Sequence, residues 1–201
     1  MNSPFASLDL FDAFSRTPPP LDYIWSGFVL GTVGGLVAPG GTGKSFWALQ
    51  AAMAIASEDA GADLLGIKPK HGRVVYVAAE DPQPVLHHRV HAIGSLLPPS
   101  ARASIAGNLH LLPAMGAGID VLQDEDLKKL IEAGQGARLI VLDTLSRMHR
   151  CDENDNGAAA AVISRLEKLA VTTGAAVLFL HHTGKAAAKE GQLERQHAAR
   201  G

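Results

Sequence analysis

Residues 35–45 of this chain read GLVAPGGTGKS, a run of small residues closed by a lysine and a serine. A loop of that composition can turn successive backbone N–H groups onto an anion at the positive end of the helix that follows. The chemistry it offers is phosphate binding. Gly40, Gly41, Thr42 and Gly43 would line the phosphates, Lys44 would bring a point charge to the β and γ positions, and Ser45 would place its hydroxyl on Mg²⁺. The usual motif begins with a glycine where Ala38 stands. Ala38 falls at the end of the preceding strand, before the turn, and a methyl group is tolerated there if its φ is negative. The plainer alternative is a glycine-rich turn with an exposed lysine and serine. An apolar strand before the loop and a helix after it weigh against that alternative.

Hydrolysis needs a carboxylate near the metal and a second one to activate water. LIVLDT ends an apolar strand in Asp143, at the edge where open α/β sheets place their ligands, so Asp143 is the candidate metal-side residue, acting through water. RVVYVAAED ends in Glu80 and Asp81. Were this strand the neighbour of the loop strand, Glu80 would face the γ-phosphate and orient or deprotonate the attacking water. Adjacent strand residues point opposite ways, so only one of the two is expected in the site: Glu80, with Asp81 and Pro82 making the turn into the next helix. AAVLFLHH ends in His181 and His182, either of which could contact the γ-phosphate or simply be a hydrogen-bonded histidine at a strand end. A small-molecule kinase starts with the same loop but needs an acceptor pocket and an arginine-bearing lid. Glu80 suits water as the acceptor better. A nucleotide switch without turnover also stays open.

Two further patterns imitate metal sites. DENDNG at 152–157 copies half of a calcium loop, but Ile163 occupies the position of the bidentate glutamate, so an acidic turn capping the next helix is expected. His87 and His91 stand four apart on a helical segment with no glutamate to complete a zinc motif.

These residues need a scaffold, and the hydrophobic pattern supplies one. Short apolar runs at Val33–Val37, Val74–Ala78, Leu109–Leu112, Leu139–Leu142 and Ala176–Leu180 alternate with helical segments at about 44–57, 83–97, 124–133 and 158–173. Runs such as LIVLD are apolar on both faces, as a parallel sheet covered on each side by helices requires. The expected fold is therefore α/β, a mostly parallel twisted sheet between helical layers. Ahead of it, residues 1–20 read as a short amphipathic arm, with Leu8, Phe11 and Phe14 at near-helical spacing, on a Pro18–Pro20 tether. The arm could pack on its own domain or dock on a neighbouring subunit. Residues 21–201 form the main domain, whose last stretch is small, polar and mildly basic and stops without a closing element, as if inside a larger domain.

Composition excludes little but is consistent. Of 201 residues, 47% are apolar and 19% charged, a globular mixture, and a formal charge of −2 gives no global attraction to polyanions, so any nucleic acid must meet a local patch. Cys151 is the single cysteine, which rules out an intrachain disulfide and fits a reducing compartment. No lysine or arginine precedes Arg16 and no apolar run is long enough to span a bilayer, so a cytoplasmic chain without membrane contact is expected.

Taken together, PPPLDY, APGGTGKS, VVYVAAEDP, LHHRVHAIG, LIVLDTLSRMH and VLFLHHTGK resemble the RecA-like P-loop ATPases, most closely the hexameric replicative helicases of the plasmid RepA family, over nearly the whole chain. The Ala-Pro-Gly-Gly start of the loop looks like that family's own variant. The resemblance implies ATP and Mg²⁺ as ligands, Lys44 and Ser45 on the triphosphate and metal, Glu80 as catalytic glutamate, Asp143 as metal-side aspartate, and His181–His182 as γ-phosphate sensor. It also implies Arg89 on the adenine, Lys185, Lys189 and Arg195 on single-stranded DNA in a central channel, and the arm on the next protomer of a homo-oligomeric, hexameric ring. A RecA-like regulatory or recombination ATPase that binds nucleic acid without unwinding is the alternative. Family members carry an arginine finger beyond the point where this sequence stops, and no residue here matches it.

Overall fold

The computed structural model describes residues 7–150 and 156–183. Asp9 caps α1 (Leu10–Ser15) by accepting from the Asp12 N–H at 3.0 Å, and no residue of this helix is buried. After the proline tether, β1 (Tyr23–Trp25) and β2 (Phe28–Val29) make a small antiparallel hairpin. The main body then runs β3 (Val33–Ala38), α2 (Lys44–Ala56), β4 (Val74–Ala78), α3 (Gln83–Gly94), α4 (Pro99–Asn108), β5 (Leu109–Pro113), α5 (Asp124–Gly134), β6 (Leu139–Asp143), α6 (Asn156–Thr173) and β7 (Ala176–His182).

Five strands form one parallel sheet in the order β3-β7-β6-β4-β5. All five lie where the apolar runs predict them, because strands covered on both faces must be apolar at every position. β4 and β6 are indeed buried throughout. Alternation along the strands divides the interior in two. Val74, Tyr76, Ala78 and Leu178 join Leu49, Met53 and Ile93 in one core, while Val75, Val77, Ile140 and Val177 join Leu130, Leu166 and Leu169 in the other. The fold is α/β, one parallel five-stranded sheet with helices on both faces.

Local chemistry ties the hairpin and the domain start to this core. Trp25 packs edge-on against Trp47 of α2, with ring centroids 5.8 Å apart. Asp22 accepts two bonds from the Arg138 guanidinium, at 2.9 and 3.0 Å, and one from Lys70 at 2.8 Å. These bonds hold the Asp22 carboxyl well below the usual carboxylate range, the Arg138 hydrogen bond contributing most.

Two expectations need correction. The single helix expected at 83–97 is α3 ending at Gly94, followed by α4, which the Pro98–Pro99 pair starts: Pro98 is its N-cap and Pro99 fills the first turn, where no N–H is needed. The strand bearing Glu80 is also not the neighbour of the loop strand, since β7 and β6 lie between β3 and β4.

Candidate functional site

β3 ends at Ala38 and the chain turns through residues 39–43 into α2. Gly41 and Gly43 take φ of +76° and +87°, values that residues with a Cβ rarely adopt, whereas Ala38 is not among the positive-φ residues. Its methyl therefore costs the loop nothing. Lys44 opens α2, is only 7% exposed, and folds its ammonium back on the loop: Nζ donates to the Ala38 carbonyl at 2.7 Å and to the Pro39 carbonyl at 2.8 Å, and lies 3.1 Å from His182 Nδ1. Thr42 Oγ1 closes the turn on the Pro39 carbonyl at 2.9 Å.

Beside the lysine, Ser45 Oγ donates to Asp143 Oδ1 at 3.0 Å. Asp143 ends β6 and is 2% exposed. Burial pushes its carboxyl pKa up, opposed by hydrogen bonds from Tyr76 and Ser45. Tyr76 donates its hydroxyl to Asp143 Oδ2 at 2.6 Å. Its own pKa is driven well above the ordinary value by burial and by the Asp143 charge. Magnesium in sites of this kind keeps several waters and takes one or two protein oxygens plus phosphates. A serine hydroxyl oriented by a buried carboxylate fits that requirement, so Ser45 would ligate the metal directly and Asp143 would hold the serine and a water on the metal. Once bound, Mg²⁺ would neutralise charge on the phosphates.

Glu80 reaches the site from just beyond β4. Its Oε2 lies 3.1 Å from His182 Nε2. An ammonium can only donate, so the lone pair of His182 must sit on Nδ1 toward Lys44, leaving Nε2–H to donate to Glu80. Three side chains from three elements thus form one chain, Lys44 to His182 to Glu80. Arg89 of α3 grips Asp81 with both guanidinium nitrogens, at 2.5 and 3.1 Å. A cleft of about 340 Å³ is lined by Gly41, Thr42, Gly43, Lys44, Ser45, Phe46, Glu80, Asp81, Arg89 and His182.

Most of the residues singled out in the sequence therefore converge, with some changes. Asp81 faces the cleft together with Glu80, contrary to the expectation that only one would, because both follow the end of β4 at Ala78, where strict alternation no longer applies. Of the histidine pair, His182 faces the cleft; His181, its neighbour on β7, is not among the residues lining it, as the two-residue period of a strand dictates. Arg89 lines the cleft. Tyr76 is the residue that sequence reading passed over, since in RVVYVAAED it looks like one more apolar strand position; its only signal is a phenol within a strand otherwise built of Val and Ala. His87 and His91 lie on α3 beside an apolar groove with Met53, Val90 and Leu97. Lys185, Lys189, Arg195, Cys151 and most of DENDNG fall outside the described residues.

The sequence matches the family model of an AAA domain over residues 2–188, most of its length. The chain belongs to the AAA domain family. AAA domains of this family are P-loop ATPases, found in helicase-like proteins, and nucleotide binding accounts for the loop, the buried lysine and the Ser45–Asp143 pair of this AAA domain. No helix among its described residues is long and apolar enough to cross a membrane.

Proposed function

We propose that this AAA domain hydrolyses ATP, with Mg²⁺, as a subunit of a replicative DNA helicase of the plasmid or mobile-element RepA type, translocating on single-stranded DNA as a homo-oligomeric, hexameric ring in the cytoplasm. The observation that carries the reading is the Lys44–His182–Glu80 chain beside the Ser45–Asp143 pair in one cleft.

The triphosphate draws the Lys44 ammonium off the Ala38 and Pro39 carbonyls and seats on the N–H groups of residues 40–45. Glu80, its carboxylate held over the cleft by His182 Nε2–H, takes a proton from the attacking water. His182, which lies between Glu80 and Lys44, senses in this reading whether the γ-phosphate is present. Arg89, paired with Asp81, lies on the adenine in this reading. In this reading residues 1–20 form an arm separate from the ATPase domain of residues 21–201. Leu8, Phe11 and Phe14 of the arm are 74%, 82% and 84% exposed among the described residues, which favours docking on the next subunit. Lys185, Lys189 and Arg195 would meet DNA phosphates.

The test is ATP turnover with and without single-stranded DNA, beside a Lys44→Ala control and a native-mass determination. Stimulated, Lys44-dependent turnover in a ring-sized species is the expected result. Turnover indifferent to DNA in a ring-forming preparation refutes the motor. Stimulation without strand displacement on a forked duplex selects the alternative, a RecA-like regulatory or recombination ATPase.

A further inference from the structure

The two oxygens of Asp143 are held from different parts of the fold. Oδ1 accepts from Ser45, in the first turn of α2, and Oδ2 accepts from Tyr76, in the middle of β4. Tyr76 is 1% exposed and pairs across the sheet with Val141, two residues before Asp143. Its phenol oxygen also lies 3.3 Å from the Ser45 carbonyl oxygen, so the same ring borders both partners of the carboxylate. A phenylalanine would fill the same space in this core. What the hydroxyl adds is a fixed rotation of the Asp143 carboxylate, because an ionised carboxylate only accepts and a buried phenol needs an acceptor.

We propose that Tyr76 is a positioning residue for the metal site: it locks the Asp143 carboxylate so that Oδ1 accepts the Ser45 hydroxyl hydrogen bond and turns the serine lone pairs toward the cleft. The proposal rests on the Mg²⁺-nucleotide reading above and gives that site a third, unassigned member. Without the phenol, Asp143 can rotate about its terminal torsion, and the Ser45 hydroxyl loses its direction. Groups that orient metal ligands in this way typically change metal affinity or activity by about 10- to 100-fold when removed.

Tyr76→Phe tests it in the full chain. With ADP present, Mn²⁺ binding followed by electron paramagnetic resonance is expected to weaken by about 10-fold or more, while binding of ADP in chelator stays within about twofold of the unmutated chain. A merely structural hydroxyl would lower the melting temperature and leave that difference untouched. Mn²⁺ affinity unchanged in a folded Tyr76→Phe chain overturns the proposal. Should Tyr76→Phe not fold, proton NMR of the buried phenol in the unmutated chain decides: addition of Mg²⁺ to the ADP complex is expected to shift the hydroxyl resonance beyond the shift ADP alone produces, and no added shift overturns the proposal. If the unmutated chain binds Mn²⁺ with ADP no better than Lys44→Ala does, the nucleotide reading fails and the proposal falls with it; binding that Tyr76→Phe leaves intact sinks the proposal alone.

Discussion

Replacing His182 by alanine cuts the Lys44–His182–Glu80 chain at its middle, and the structure sets how the loss should divide between stability and turnover. Two contacts disappear, each 3.1 Å long and each to a charged group. The side chains of His182 and Glu80 are 35% and 40% exposed, so solvent can replace part of what is lost. At this exposure each contact is worth about 0.5–1 kcal/mol, which for a domain of this size lowers Tm by roughly 2–8 °C in total. Turnover should suffer more. Glu80 loses the group that holds its carboxylate over the cleft, and misplacing a general base costs about 10- to 100-fold in kcat, or about 1.4–2.7 kcal/mol of barrier. ATP affinity should barely move, since in the proposed mechanism Lys44 turns from His182 to the phosphates. His182→Gln, whose amide can accept from Lys44 and donate to Glu80, should recover much of the loss. The assay is steady-state phosphate release alongside thermal melts of the wild-type chain and both variants. A kcat for His182→Ala within twofold of wild type, or a KM change that accounts for the whole loss, refutes the role given to this chain.

Two other outcomes follow from the fold. Asp22 is ionised more readily in the folded chain than in the unfolded one, so its contribution is present above its ordinary pKa of 3.8 and is lost as pH falls toward the depressed folded value. Asp22→Asn should therefore lower Tm at neutral pH and flatten the decline of Tm below about pH 5, measured by calorimetry across pH. Gly35 lies under the Phe179 ring, where an added Cβ would sit 2.7 Å from Cζ. Gly35→Ala should cost about 1–3 kcal/mol by denaturant titration, and Phe179→Leu in the same chain should restore part of it.

What could be read from the residues alone follows the range of the interactions involved. Strands β4 and β6 were visible because continuous apolar runs are a local property, and the phosphate loop because its dihedral demands are met by its own glycines. α4, which Pro98–Pro99 start, lies in none of the expected helical segments, and the β1–β2 hairpin has too few residues to show a period. Strand order is a long-range outcome, so the assumption that Glu80 stands next to the loop strand failed, and yet Glu80 reached the cleft from the far side of β6 and β7. Tyr76 was illegible for a related reason: its significance lies in Asp143, 67 residues away, and no spacing rule joins a phenol in one strand to a carboxylate at the end of another.

The place of β7 between β3 and β6 also has a mechanical side. Six residues of β7 are registered against β3 and four against β6, and one residue past His182 the Thr183 N–H still reaches the Ala38 carbonyl at 3.3 Å. Tension on the chain beyond Thr183 would load both ladders in shear, the direction in which parallel strands must break many bonds at once rather than peel one by one. The strand would move as a stiff rod, carrying His182 and tugging the same carbonyl that holds Lys44. Any force generated or felt downstream is thus geared to the phosphate loop through one peptide and one hydrogen bond, with little slack between them.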